Sequence, residues 1–312
     1  MGFLKILLKT LGQILVVVIV VTFLTQLLMR QIPGDIGTIL APFASDEQRA
    51  NIREEIGVND NVFVQYGKWV GTVVDGSFGK RYTGAQSYIE VGPEIRKALP
   101  NTLLLILYSQ IISLTLAIPL GVWSAYRAGR TPDKVISGVG FGFLALPNFA
   151  LALVLIYFFG VKLKWLPTQH ASGDVTLKEM ILPAFSLAMG QLAVYMRLLR
   201  SDLITTLQQD FISMAKAKGL KPSRILWRHA LRPSSLTLLT AAGLQTGALI
   251  GGTLVAEVIF GIPGVGLMII NAIGKRQIIE LQSLVAVVAI IFVLINFGVD
   301  ALYRVLDPRI RR

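Results

Sequence analysis

The sequence predicts an all-α integral membrane protein with six transmembrane helices, and three observations carry that prediction. Of the 312 residues, 54% are apolar and only 15% charged, with a mean hydropathy of +0.65, whereas soluble domains carry about 25% charged residues. The chain also holds six uncharged runs that match the ~20 residues a helix needs to cross a ~30 Å hydrocarbon core. Finally, the basic residues between those runs are unevenly shared between alternate connections. The same composition excludes several chemistries. There is no cysteine, and the two histidines are His170 and His229, so disulfides, thiolate sites and multi-histidine metal centres are ruled out. A formal charge of +12 taken alone fits a nucleic-acid binder, an acidic-lipid binder or a membrane protein with basic loops.

The first uncharged run, residues 11–29, exceeds the ~7–15 residues of a signal-peptide core and has no A-x-A cleavage site after it. It is expected to be a retained helix within an N-terminal segment, residues 1–30, with a cleaved signal as the alternative. Residues 31–97 are expected to form a loop domain between the first two helices. In it Ile52, Ile56, Val62 and Trp69 are interspersed with charges, as in short amphipathic helices, and Asp75-Gly76-Ser77 and Tyr82-Thr83-Gly84 read as turns. This loop is either a folded cap or a docking surface. Residues 98–312 make the core, with spans at 98–126, 135–161, 180–196, 233–256 and 281–299. Pro119, Pro147 and Pro183 are expected to kink spans two, three and four. Residues 258–274 are uncharged too, but Gly261, Pro263, Gly264, Gly266 and Gly274 favour a re-entrant or surface turn over a seventh crossing.

Six spans place both termini and the second and fourth loops on one side. That side holds 17 of the 30 Lys and Arg with five acids, a net of +12, and the other side sums to zero. By the positive-inside bias, the basic side, with the N- and C-termini, is cytoplasmic, and the 31–97 loop is external. This partition argues against nucleic acid as a partner. Glu257 and Asp300, at span ends, are expected at the interface, and His170 in solvent.

Residues 200–232 hold the densest positive charge. Each basic residue near the bilayer centre costs about 2.5–3.5 kcal/mol, so this segment must lie outside the membrane. It is nevertheless patterned. Phe211-Ile212-Ser213-Met214-Ala215-Lys216-Ala217-Lys218-Gly219 reads as a short helix closed by a glycine cap. Lys221-Pro222-Ser223 restarts the chain, and another helical turn or two follows from Arg224. This helix–elbow–helix is either an interfacial segment whose bases meet lipid phosphates or a surface for a partner.

Here the residues resemble a known family. Ala215-x-x-x-Gly219 followed by Arg224-Ile225-Leu226-Trp227-Arg228-His229-Ala230-Leu231-Arg232-Pro233 is similar to the cytoplasmic "EAA" loop of ABC importer permeases, in the wording of the dipeptide/oligopeptide/nickel group. Asp75-Gly76-Ser77-Phe78-Gly79, Pro100-Asn101-Thr102-Leu103, Phe260-Gly261-Ile262-Pro263-Gly264-Val265-Gly266-Leu267 and Leu306-Asp307-Pro308-Arg309 agree with it. There are departures: Ser213 and Met214 stand where the loop consensus has Glu and Ala, Arg232-Pro233 replaces a Leu-Pro step, and Gln277 and Ile279 stand where relatives often have Asp and Pro.

The resemblance implies a non-enzymatic transport subunit in the plasma (inner) membrane of a prokaryote. It would pair with a second permease, most simply as a heterodimer. It would be driven by two ATP-binding subunits or one fused pair, which hold the ATP and magnesium; this chain itself holds no cofactor. An extracytoplasmic binding protein would deliver peptides, with nickel chelates, opines, haem or glutathione as alternative cargoes. Ser213, Met214, Ala215, Lys216, Ala217, Lys218, Gly219, Leu220, Arg224 and Arg228 would contact the ATPase.

Other motifs give little. No P-loop, H-E-x-x-H or G-x-S-x-G is present, so a membrane-embedded enzyme lacks a constellation, and a lipid-binding scaffold is the remaining alternative. Gly243, Gly247 and Gly251 make a close-packing stripe, within the subunit or against a second one. Gln110, Asn148, Gln191, Gln245 and Asn296 are polar residues within spans that must face protein or water, and are candidates for lining a pathway. The topology is testable because the chain has no native cysteine. A single cysteine placed after Arg312 should resist impermeant maleimide in intact cells and react after permeabilisation; labelling in intact cells would refute the six-span arrangement.

Overall fold

The computed structural model describes residues 3–31, 34–84 and 87–306, with side chains for 11–31, 34–84 and 87–299. Pro33, the Asp307-Pro308-Arg309 motif and Arg311 and Arg312 lie outside the described residues, as do the side chains of Lys5, Lys9, Asp300 and Arg304. Among the described residues, five helices are long and apolar enough to cross a membrane, six if one sharply bent pair counts as a single span. By contacts the chain forms two compact units, residues 1–102 with 262–294, and residues 103–261 with 295–312.

The first unit begins with α1 (Phe3–Gln31), followed by α2 (Ile36–Leu40), α3 (Asp46–Ile56) and α4 (Val62–Val74). Ser45 and Gln48 form a reciprocal capping box at the start of α3, and Gly57 closes its end, so the polar helix is stopped at both termini by local chemistry. Leu40, Ala41, Ile52, Ile56 and Tyr82 make a small apolar core. The expected amphipathic helices of residues 45–74 are therefore α3 and α4. The all-α expectation needs one correction, because β1 (Lys80–Tyr82) and β2 (Tyr88–Glu90) pair antiparallel, with Arg81 opposite Ile89. The hairpin is entered through a tight turn in which Gly76, Phe78 and Gly79 all have positive φ. A side chain at Gly79 would collide with Ile279.

This unit is completed by the start of α5 (Val91–Tyr126), by α12 (Val265–Gly274) and by the first part of α13 (Ile278–Leu306). Polar pairs tie its pieces together. Arg30 donates to the Asp60 carbonyl at 2.7 Å and to Gln65 Oε1 at 2.9 Å. Gln26 donates to the same Gln65 oxygen and accepts from Gln282 Nε2. Trp69 Nε1 donates to Ser283 Oγ, which donates to the Phe78 carbonyl. Gln277 closes both hydrogen bonds of the Tyr82 backbone. Arg81 Nη1 lies 3.1 Å from Glu280, whose side chain is 2% exposed. Lys80 pairs with Glu55, which holds that carboxyl below its ordinary range, while burial pushes the nearby Tyr82 phenol up. Helix α12 has 10 residues, about 15 Å, too short to cross. The Gly-Pro-rich segment is thus a turn leading into a short helix.

The second unit is built around α8 (Leu177–Leu207), which packs against α6 (Thr131–Ala145), α7 (Asn148–Leu155) and α11 (Leu231–Phe260). Leu187, Ala188, Leu192, Tyr195, Leu199 and Leu203 of α8 are all buried. The third span is not the single kinked helix expected over 135–161. It is α6 and α7 set at 103° to each other, with α7 running on through a π-helical turn at Ile156–Lys162. Pro147 caps α7, and Leu146 before it is extended at ψ 124°. A residue preceding proline is driven out of the helical region, and proline has no N–H to continue the ladder, so the helix breaks instead of bending.

Two further expectations change here. His170 is not in solvent: its side chain is 10% exposed and its Nδ1 lies 3.3 Å from Glu179. Its backbone N–H also bonds the Phe260 carbonyl at 2.9 Å, which holds the connection before α8 onto the end of α11. Glu257 is fully buried rather than interfacial, because it lies on an inward face of α11.

Removing Arg81 would take its ion-pair partner from the buried Glu280. Arg81→Ala should therefore destabilise the protein by about 3 kcal/mol, the low end for a broken buried pair because Arg81 is partly exposed. Adding Glu280→Gln should recover most of that loss, read as thermal unfolding in detergent.

Candidate functional site

The connection between α8 and α11 is a polar segment with its own short helix. Helix α8 ends at Leu207, a turn at Gln208 and Gln209 follows, and α9 spans Asp210–Ala217. Its end is closed by two hydrogen bonds, Leu220 N–H to the Ala215 carbonyl and Gly219 N–H to the Lys216 carbonyl. This is a Schellman closure, which requires a left-handed residue just past the helix. Gly219 supplies it with φ +73°. Lys221 is extended, and Pro222 starts the next helix.

That helix is longer than the sequence indicated. The short α10 (Pro222–Arg224) runs through a π-helical turn at Ile225–Ala230 directly into α11, making one helix from Pro222 to Phe260. The π turn precedes Pro233, which has no N–H for the ladder. Instead of a loop over 200–232, only residues 208–221 separate the two long helices. Their charged ends are helical extensions, held from below by packing.

Burial divides this segment into two faces. Ile212, Ala215, Ile225, Leu226 and Ala230 are buried, and Leu220 is half-buried. Ser213, Met214, Lys216, Ala217, Lys218, Gly219, Arg224 and Arg228 are exposed. Thus Ala215 belongs to the anchoring face, while the rest of the predicted contact set is open or nearly so. Sequence reasoning passed over Phe211 and Trp227, which are 42% and 49% exposed, while Met214 is 61% exposed. Large apolar side chains inside a strongly basic stretch were the available signal. Among the described residues, Lys216, Lys218, Lys221, Arg224 and Arg228 form no ion pair. The result is a rigid projection with an apolar crest and unneutralised positive charge.

A second clasp went unnoticed in the sequence. Arg200 of α8 makes a bidentate pair with Asp133 at the start of α6, at 2.6 and 2.7 Å, and Asp133 also accepts from the Gly129 N–H and the Ser124 hydroxyl. Asp133 is 3% exposed, so a buried carboxylate is fully satisfied and ties α6 to the helix that leads into α9.

The polar candidates within the spans separate. Asn148, Gln191 and Gln245 line one cleft of about 270 Å³. Gln110 is instead taken up by Tyr195 and the Ala242 carbonyl, and Asn296 is half-buried elsewhere. The glycine stripe also divides. Gly243 and Gly247 are buried, and a side chain at Gly243 would collide with Val299, so this end packs within the chain. Gly251 has open space beside it. Among the described residues no group of His, Asp and Glu could hold a metal.

Residues 117–312 match the family described as the binding-protein-dependent transport system inner membrane component, and residues 3–88 match its N-terminal companion. This chain belongs to that family. Curated relatives span nearly its whole length. An oligopeptide transport system permease of Bacillus subtilis is 37% identical, over 93% of this chain and 94% of its own. A probable peptide ABC transporter permease of Sinorhizobium fredii is 33% identical, over 91% and 92%. Among solved structures, the inward-facing MetNI methionine ABC transporter matches 69% of this chain and 96% of its own at a TM-score of 0.57 and 17% identity, a likeness of fold. The protein is a multi-pass permease subunit of an ABC importer. It is not itself an enzyme, and it works with ATPase and substrate-binding components.

The two faces of α9 make opposite stability predictions. Ile212→Ala should cost about 2 kcal/mol, as for a buried aliphatic truncation. Met214→Ala, on the exposed face of the same helix, should stay within about 0.5 kcal/mol of wild type, both by thermal unfolding of the purified permease.

Proposed function

We propose that this permease forms half of a peptide translocation pathway, and that α9 is the element through which ATP hydrolysis drives it. One observation carries the reading: the Schellman-capped helix with exposed Met214, Lys216 and Lys218 lies in the short connection between the two long helices α8 and α11, with Ile212 buried and the helix packed on the π turn at Ile225–Ala230. A push on such a helix is delivered to both spans as a rigid-body displacement, the kind of motion that packed helices transmit. The exposed crest and its five cations suit an acidic-rimmed groove on an ATPase.

In this reading the six spans leave both termini and α9 in the cytoplasm, as the +12 to zero charge partition favours. Residues 1–30 make the N-terminal segment and first span, 31–97 an external domain facing the binding protein, and 98–312 the core permease. A second, homologous permease completes the pathway, most simply as a heterodimer. Two ATP-binding subunits, or one fused pair, carry ATP and magnesium. The setting is the inner membrane of a prokaryote. The oligopeptide and peptide permeases among the relatives support peptides as cargo.

The test is reconstitution of both permeases, the ATPases and the binding protein in proteoliposomes. Met214→Asp and Gly219→Val should insert and fold, yet lose peptide-stimulated ATP hydrolysis by at least about fivefold, the low end of typical coupling between sites. Full stimulation in both variants would remove α9 from the coupling role.

A further inference from the structure

Asn148, Gln191 and Gln245 share one cleft. It lies at the break between α6 and α7, where Asn148 is the first residue of α7. None of its lining residues is charged, and apart from the three carboxamides they are apolar or glycine. Two glycines keep it open. A Cβ at Gly190 would come within 3.3 Å of Asn148 Oδ1, and one at Gly252 within 3.2 Å of Leu187 Cδ2.

We infer that this cleft is a charge-neutral binding site for the main-chain peptide group of the cargo, read by the carboxamides of Asn148, Gln191 and Gln245. The inference rests on the peptide-import reading above and adds how the pathway recognises what it carries. Each carboxamide offers N–H donors and a carbonyl acceptor, the complement of a peptide unit's own carbonyl and N–H. That unit recurs in every peptide, whereas side chains differ. A fixed charge in the cleft would hold peptides of opposite charge and repel those of like charge, since unpaired charges at membrane depth are costly. Neutral amide pairs bind each peptide alike and weakly, and a translocation site must release what it binds.

One of the three carboxamides is held in place. The Tyr195 hydroxyl donates to Gln191 Oε1 at 2.8 Å. Tyr195 in turn accepts from Gln110 Nε2 at 3.0 Å, and that nitrogen also bonds the Ala242 carbonyl at 2.9 Å. Gln110 and Tyr195 are thus positioning residues. Tyr195 engages the Gln191 oxygen, Gln110 holds Tyr195, and the Gln191 NH₂ is left as the group available to a cargo carbonyl. The cleft, at about 270 Å³, falls below the ~300 Å³ of the smallest drug-sized pockets. It therefore takes one stretch of main chain at a time.

The experiment uses the complete complex in proteoliposomes, with trialanine and its analogues carrying a central glutamate or lysine as probes. Their affinities for the binding protein are measured separately and divided out. The wild type should move all three within about threefold of one another. Gln245→Leu should slow all three by a common factor of about tenfold, as expected for loss of one or two neutral hydrogen bonds. Gln245→Glu, nearly isosteric, should open a difference of about tenfold or more in favour of the lysine peptide. If Gln245→Leu transports at the wild-type rate, or Gln245→Glu leaves the three peptides equal, the neutral-site inference is overturned while peptide import stands. If the wild type moves none of the three, the peptide-import reading falls and this inference with it.

Discussion

A hydrocarbon layer about 30 Å thick offers no hydrogen bonds, and the rest of the structure depends on that constraint. Each polar group at membrane depth must find its partner inside the protein or face a water-filled space. The second unit meets it with the relay from the Ala242 carbonyl through Gln110 and Tyr195 to Gln191. The first unit meets it with Gln26, Gln65 and Gln282. These pairs fix which faces of the helices meet. In a lipid setting packing alone discriminates weakly, because the tails are as apolar as leucine.

The same constraint explains where the backbone is irregular. The break at Leu146-Pro147 frees backbone groups that a lipid-facing helix could not expose, and it occurs beside a cleft lined by three carboxamides. Non-helical backbone at this depth is tolerated where it lines a cavity or is buried in protein. The α8–α9–α11 region follows a complementary logic. Outside the membrane, local capping rules return, and Gly219 and Pro222 build a rigid elbow from sequence-local chemistry alone. Rigidity there suits the coupling role proposed for α9, and irregularity within the span suits the binding role proposed for the cleft.

Much of this was legible in the chain. Residues 211–219 read as a short helix with a glycine cap because capping is a local property of a few consecutive residues. The amphipathic helices α3 and α4 were legible for the same reason. The 103° bend was not, since a proline within an apolar run signals a break without setting its angle. Nor was the continuity of α10 with α11, because Lys221-Pro222 and Arg232-Pro233 look alike in sequence yet one starts a helix and the other sits within one. The buried states of Glu257 and His170 were misjudged because position near the end of an apolar run says nothing about which side of a helix faces inward.

By itself the sequence determined the membrane class, the approximate spans and the family, since these depend on composition, run length and local motifs. Only the tertiary structure decided which of five polar candidates converge. Asn148, Gln191 and Gln245 come from three different helices, and whether residues so far apart in sequence share a cleft is set by how those helices break and pack. Gln110 has the same chemistry as Gln191, but its helix carries it to Tyr195 and a carbonyl, so its hydrogen bonds are spent holding the cleft's wall in place.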